Sequence, residues 1–241
     1  MEPVPLLSSF YFGSTEHFRL LARDPKVIID IGEHYERQSY RTRTSIVGPN
    51  GKQDLVVQIA RKSGEKMPMR SVGLSYAEGW QQQHIQAIRS AYGNTPWFIH
   101  YIDEIEAVVL KKHERLVDLD LATMRLGMKW LGLGTEVVVS EDYVEVKDGK
   151  KEVNSEWSMV NGEERLAAGS ASMRHSPAPI HQIGLQDFRT SFNPKRPLPA
   201  EFPATPAYPQ IFADRHGFVP RMSVIDLVMN AGPEARRLVL T

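Results

Sequence analysis

Between Asp30 and Arg43 the chain reads Asp-Ile-Gly-Glu-His-Tyr-Glu-Arg-Gln-Ser-Tyr-Arg-Thr-Arg, a density of acids, tyrosines and arginines around a histidine that no apolar core requires. The cluster begins where the apolar run Val27, Ile28 and Ile29 ends, and the end of a buried strand is a common place for a site. A histidine titrates near neutrality, so His34 can act as a general base, with Asp30 to orient it. His84 is the other candidate base. It shares a helical stripe with Trp80, Ile88 and Ala91 and faces either core or cleft. Arg41 and Arg43 carry planar forks that match a phosphate or carboxylate, and period-2 alternation puts both, with Ser45, on one face of a strand. Gln38, Tyr35 and Lys195 complete the expected substrate contacts. Each assignment has a plain alternative: the arginines can pair with Glu33, Glu36 or Asp54 at a surface, and His84 can be a satisfied core histidine. Asp30, Glu33 and His34 are spaced too unevenly to read as a metal site, so no metal is expected.

The 241 residues and 41% apolar content suffice for one sizeable core, and a single domain over 1–241 is expected. Lys plus Arg equals Asp plus Glu at 29 each, which argues against general attraction to nucleic acid or an anionic membrane. The absence of cysteine excludes disulfides, thiolate metal sites and a cysteine nucleophile together. No apolar run approaches the ~18 residues that a membrane span needs, so a cytoplasmic protein without an integral membrane segment is expected. Walker, dinucleotide, nucleophile-elbow and zincin signatures are missing, and no cofactor is expected.

The elements that must position these groups are partly legible. Ser14 or Thr15 caps a helix that stops before Pro25, and a strand follows at 26–30. Strands at 40–47 and 55–61 flank Gly48-Pro49-Asn50-Gly51, a hairpin signal. A strand at 71–74 leads into Ser75-Tyr76-Ala77-Glu78, which fits a capping box for a helix running to Gly93. Thr95-Pro96 restarts a helix to about Leu110, and Asp118 or Asp120 begins another that ends near Gly132 to Gly134. A strand at 136–140 and a polar hairpin around Asp148-Gly149 come next, then a weakly patterned stretch that makes 144–185 an insertion or loop. Prolines between Pro177 and Pro209 imply extended chain, and Ile211–Gly217 and Met222–Asn230 read as short helices, the second capped by Ser223. The expected fold class is mixed α/β: a single domain with a small mixed or antiparallel sheet, surrounding helices and a proline-rich extended C-terminal segment.

Several blocks resemble one known family in the same order. Glu33 to Arg43 is similar to the E-x-Y-x-K-Q-S-Y-R-N-R segment of the WbqC-like protein family. Trp80 to His84, Ala91-Tyr92 and Pro96 to Tyr101 resemble its W-x-x-x-H, A-Y and P-F-F-x-Y-Y blocks, and Asp187-Phe188-Arg189 with Asn193-Pro194-Lys195 its D-Y-R and N-P-K block. Tyr208 to Phe212, Gly217 to Leu227 and Asn230 to Ala235 resemble its ending. Thr42 and Arg221-Met222 depart from the family's usual asparagine and asparagine-leucine.

The family takes its name from genes of O-antigen and other surface-polysaccharide clusters. The resemblance therefore implies a place in surface-glycan biosynthesis and no particular reaction. For general-base chemistry without cysteine the expected reaction is group transfer, acyl or aminoacyl, to an amino sugar, with His84 or His34 as base, Asp30 orienting the histidine, and Arg41, Arg43 and Lys195 holding an anionic small molecule or carrier-linked donor. The alternative is a non-catalytic binding or assembly protein of the same pathway that recognises an anionic ligand.

Overall fold

The computed structural model describes residues 3–60, 66–146, the backbone of 157–159, 184–200, 202 and 205–241. Its centre is a five-stranded sheet. Strands β1 (Val4–Leu7), β2 (Lys26–Asp30), β7 (Glu136–Ser140) and β9 (Leu185–Asp187) run parallel, and β8 (Trp157–Met159) is an antiparallel edge, in the order β8-β7-β2-β1-β9. The Val/Ile runs of β2 and β7 are buried on both faces, as a parallel sheet demands. Alternation sends Leu7, Val27, Ile29, Val137 and Val139 into the main core, and Leu6, Ile28, Val138 and Leu185 into a smaller cluster with Val144 on the other face.

Helix α1 (Thr15–Arg23) joins β1 to β2; Ser14 caps it by accepting from the His17 N–H, and it ends ahead of Pro25. Between β2 and β7 come a hairpin of β3 (Arg43–Gly48) and β4 (Gly51–Val56), a short pair of β5 (Ile59–Ala60) and β6 (Gly73–Leu74), and helices α2 (Trp80–Tyr92), α3 (Phe98–Val109) and α4 (Leu116–Leu131). Helices α5 (Ala213–His216), α6 (Val224–Ala231) and α7 (Ala235–Leu240) close the chain, with Ser223 capping α6. The tail packs back on the N-terminal half. Ser223 N–H donates to Ser45 O and Val224 N–H to Gly13 O.

The mixed α/β class expected from the sequence is what the chain adopts. Several local readings are corrected. Arg41 lies in a turn ahead of β3, where Gln38 has a positive φ of 57° and the Thr42 N–H returns to Ser39 O, so strand alternation does not reach it and Arg41 and Arg43 do not share a face. Ser75 to Glu78 is not a capping box: α2 starts at Trp80 after Gly79, which takes φ 61°, a left-handed conformation suited to glycine. The Thr95 hydroxyl donates back to Tyr92 O instead of capping α3. Strands β1 and β9 were not legible, and the hairpin expected around Asp148-Gly149 lies outside the described residues.

Candidate functional site

From β1 the chain lays β2 and then β7 to one side, and finally β9 to the other, so the strand order reverses between β1 and β9. In open α/β sheets, ligands bind outside the carboxyl ends of the strands at such a reversal. The segments that leave all four parallel strands meet there: residues 8–13 after β1, 31–42 after β2, 141–146 after β7 and 188–196 after β9. Gly32 makes room for this. A Cβ built on it would sit 2.2 Å from the Tyr143 backbone nitrogen, so only glycine lets the two segments touch.

Two buried guanidiniums organise the edge. Arg41, 2% exposed, forks onto Glu33 through Nε–Oε1 at 2.9 Å and Nη2–Oε2 at 2.8 Å. Its Nη1 reaches Glu36 at 3.2 Å, and Nη2 also donates to the Ser8 hydroxyl at 2.7 Å. Arg189 contacts Asp187 through Nε and Nη2, and through Nη1 donates to Asp30 at 2.6 Å and to Val144 O at 2.9 Å. Asp30 therefore orients no histidine. Its Oδ1 accepts from the N–H groups of Gly32 and Glu33, and its Oδ2 from the Val144 N–H and Arg189, so one carboxylate ties the ends of β2, β7 and β9 together. The Tyr143 ring, half-exposed, lies 4.7 Å from the Arg189 guanidinium carbon. Burial pushes the carboxyls of Asp30 and Glu33 above the usual range, against the pull of the hydrogen bonds they accept.

Sequence reasoning missed a second layer beneath this edge. Ser9 Oγ donates to Asp120 Oδ2 at 2.9 Å, while Asp120 Oδ1 has no partner and burial holds the carboxyl well above its ordinary range. An acid on the stripe Leu116, Asp120, Thr123, Met124 and Gly127 of α4, otherwise free of charge, was the available signal.

The remaining expected site residues are scattered. Arg43 reaches across the hairpin to Asp54 at 3.2 Å, where Ser45 also binds, so it is engaged at a partly exposed surface and not beside Arg41. Lys195 and Gln38 are exposed and hydrogen-bonded to each other at the rim of the edge. His34 is exposed next to Glu33 and forms a bridge with Pro68, and the Tyr35 hydroxyl lies 3.4 Å from Thr42 Oγ1. The βα turn that holds phosphate in many doubly wound sheets is occupied: Met222 O accepts from the Thr15 N–H, and Glu16 puts an acid in the first turn of α1. Among the described residues, no group of three or more His, Asp or Glu side chains is arranged to hold a metal ion.

His84 lies in the core. Val56 O can only accept, so Nε2 carries the proton and the Tyr11 hydroxyl donates to Nδ1, at 3.2 and 3.1 Å. Burial lowers its pKa from 6.5 to about 4. With the folded value below the unfolded one, the unfolded chain takes the proton first. His84 thus stabilises the fold above pH 6.5, and this contribution, about 3 kcal/mol, is lost as pH falls from there towards 4. The raised carboxyls of Asp120 and Asp226 act in the opposite sense, so the useful quantity is a difference. In that window the slope of unfolding free energy against pH should be more negative in His84→Gln than in the parent, by up to about 1.4 kcal/mol per pH unit. Equal slopes would show that the ring is not buried and neutral.

The model of the WbqC-like protein family matches residues 9–238. The chain belongs to the WbqC-like family. An uncharacterised protein of Mycobacterium tuberculosis (strain ATCC 25618 / H37Rv), Rv1507c, is 23% identical over 237 residues, 98% of this chain and 96% of the relative. No solved structure matches this chain. In this WbqC-like protein several polar residues of the signature blocks fall into two networks. Glu33, Arg41, Asp187 and Arg189 form the edge just described. Tyr92, Tyr208 and Gln210 all donate to Asp226, at 2.6, 2.6 and 2.8 Å, and so tie α2, the tail and α6 together. The departure at Arg221 also has a local account: its φ of 64° is a conformation asparagine tolerates well, and its guanidinium instead donates to the carbonyls of Arg196 and Asn193. No described helix is long and apolar enough to cross a membrane.

Proposed function

We propose that this WbqC-like protein is a group-transfer enzyme that moves an acyl or aminoacyl group to an amine, in surface-polysaccharide assembly, at the carboxyl edge of its sheet. One observation carries the reading: the segments leaving all four parallel strands converge on a cluster in which Asp30, Glu33, Glu36, Asp120 and Asp187 outnumber Arg41 and Arg189. Leaving Asp120 aside, four carboxylates still face two guanidiniums in this cluster, an acidic balance that favours an ammonium-bearing acceptor. The pathway class comes from the family resemblance.

The half-exposed carboxylate of Glu36 and the Tyr143 ring are the surfaces an amino sugar would meet, the ring offering an apolar face. His34, exposed at the same edge, takes a proton from the bound ammonium and so frees the nitrogen lone pair. The nitrogen then attacks the donor's carbonyl carbon, loses its second proton to solvent, and the C–S or C–O bond to the donor's carrier breaks with the electron pair leaving on the carrier, while Lys195 with Gln38 holds the donor's anionic part. Arg41 and Asp30 support the site without touching ligand, because their polar atoms are already engaged.

A thermal-shift screen of nucleotide-linked amino sugars, acyl-CoA species and acyl carriers tests this. Free amino sugars should stabilise the protein more than their N-acetylated forms, and Glu36→Gln should abolish the difference. Once a donor is found, His34→Gln should lower turnover by about 100-fold with the fold unchanged, since proton transfer contributes ~10² to 10⁴ in rate. The alternative, a non-catalytic protein that binds an anionic ligand, draws on the exposed pair Lys195 and Gln38. Saturable binding of the donor without turnover on any amine would favour it.

A further inference from the structure

The β3–β4 hairpin carries an unused edge. Gly48 pairs with Gly51 across its two-residue turn, so hydrogen bonds join Gly48 to Gly51, Ile46 to Gln53 and Thr44 to Leu55, while Lys52, Asp54 and Val56 turn their N–H and C=O groups away from β3. Outward groups of β3 find partners within the chain: the Val47 N–H donates to the Tyr92 hydroxyl, and Ser45 O accepts from the Ser223 N–H. On β4 the Val56 carbonyl accepts from His84, but no described group pairs with the backbone N–H or C=O of Lys52 and Asp54. Residues 52–54 are exposed, and such a row of open backbone groups is a template for another strand. Charge decides which strand fits. Lys52 and Asp54 lie two residues apart on one face, opposite in sign. A lysine on an edge repels most incoming strands, yet this one has its complement in a copy of itself. Among antiparallel self-pairings centred within residues 52–54, an axis at Lys52 sets two ammoniums opposite each other and an axis at Asp54 sets two carboxylates. With Gln53 on the axis, each Lys52 faces Asp54 of the other copy.

We propose that β4 pairs with β4 of a second copy of this chain, antiparallel and with Gln53 on the two-fold axis. Lys52 and Asp54 of one copy exchange backbone hydrogen bonds with Asp54 and Lys52 of the other, which satisfies every open group on both strands and matches ammonium with carboxylate at both pairs. Asp54 keeps its contacts to Arg43 and Ser45, since a carboxylate accepts several donors. An interface this small gives a weak, concentration-dependent dimer. The hairpin edge is separate from the carboxyl edge of the sheet, and the pairing does not depend on the function proposed there.

Sedimentation velocity of the full chain over rising protein concentration should show a reversible monomer–dimer equilibrium. Lys52→Asp and Asp54→Lys each set like charges opposite one another and should be monomeric alone, whereas their equimolar mixture should dimerise, because every pair in the mixed dimer again joins opposite charges. The chain has no cysteine, so Gln53→Cys introduces a single thiol. On the axis, in a non-hydrogen-bonded pair, the two Cα atoms lie about 4.5 Å apart, within reach of a disulfide. Mild oxidation should therefore link Gln53→Cys into a covalent dimer and leave Lys52→Cys, whose thiols are offset along the strands, largely monomeric. The cross-linking decides the matter if Asp54→Lys does not fold without its contacts to Arg43 and Ser45. A chain that stays monomeric at its highest soluble concentration, a dimer untouched by Lys52→Asp, no dimer in the mixture of the two folded variants, or equal cross-linking at both cysteine positions would each overturn the proposal.

Discussion

Replacing Arg41 with alanine is expected to lower the free energy of unfolding by about 3–5 kcal/mol, the usual cost of removing one partner from a buried ion pair. The size follows from what is left behind. Glu33 would keep a carboxylate that is 5% exposed and has lost both teeth of its fork, and the Ser8 hydroxyl and Arg189 carbonyl would lose a donor. Arg41→Lys should recover only part of the loss, because an ammonium cannot span both oxygens. The double replacement Arg41→Met with Glu33→Leu removes both charges together and should be less destabilised than Arg41→Ala alone. Urea unfolding of the three variants checks this. A cost below about 1 kcal/mol for Arg41→Ala would mean that the pair is solvated and that Arg41 is available to a ligand after all.

Asp226→Ala should be comparably damaging, by about 3–5 kcal/mol, through the tail. The two tyrosine hydroxyls and the Gln210 amide that converge on this fully buried carboxylate would lose their acceptor together, and each buried donor left unsatisfied costs about 1–3 kcal/mol before relaxation. The Tyr92 hydroxyl also accepts from the Val47 N–H, so the disturbance reaches β3. The expected signature is local as well as global. Limited proteolysis should cut the segment between Asp187 and Tyr208 faster in the variant, since Tyr208 and Gln210 are its anchors to α6. Unchanged cleavage together with a small loss of stability would show that α6 is held by apolar packing alone.

The sequence by itself determined the features that depend on near neighbours. Ser14 and Ser223 announce their helices because a cap acts within the first turn, and α2 shows its buried stripe through Trp80, His84, Ile88 and Ala91. The apolar runs of β2 and β7 are legible as strands for the same reason, and the ordered blocks of residues identify the family. Only the tertiary structure decided where the chemistry-bearing side chains go. Strand β1 is four residues long and contains Pro5, and β9 is three residues long in a proline-rich stretch, so neither has enough local pattern to be recognised; they exist because β2 and the main core stand ready to receive them. Only Thr42 separates Arg41 from Arg43, yet one is buried on Glu33 and the other engaged with Asp54 across the hairpin. His84 could have faced a cleft on its helical stripe alone; the Tyr11 hydroxyl and the Val56 carbonyl, neither adjacent in sequence, place it in the core. Ser9 meets Asp120 across 111 positions and Arg189 meets Asp30 across 159. Such partners are chosen by burial and by the need of each buried polar group for a mate, and those conditions come into being only when the sheet has assembled.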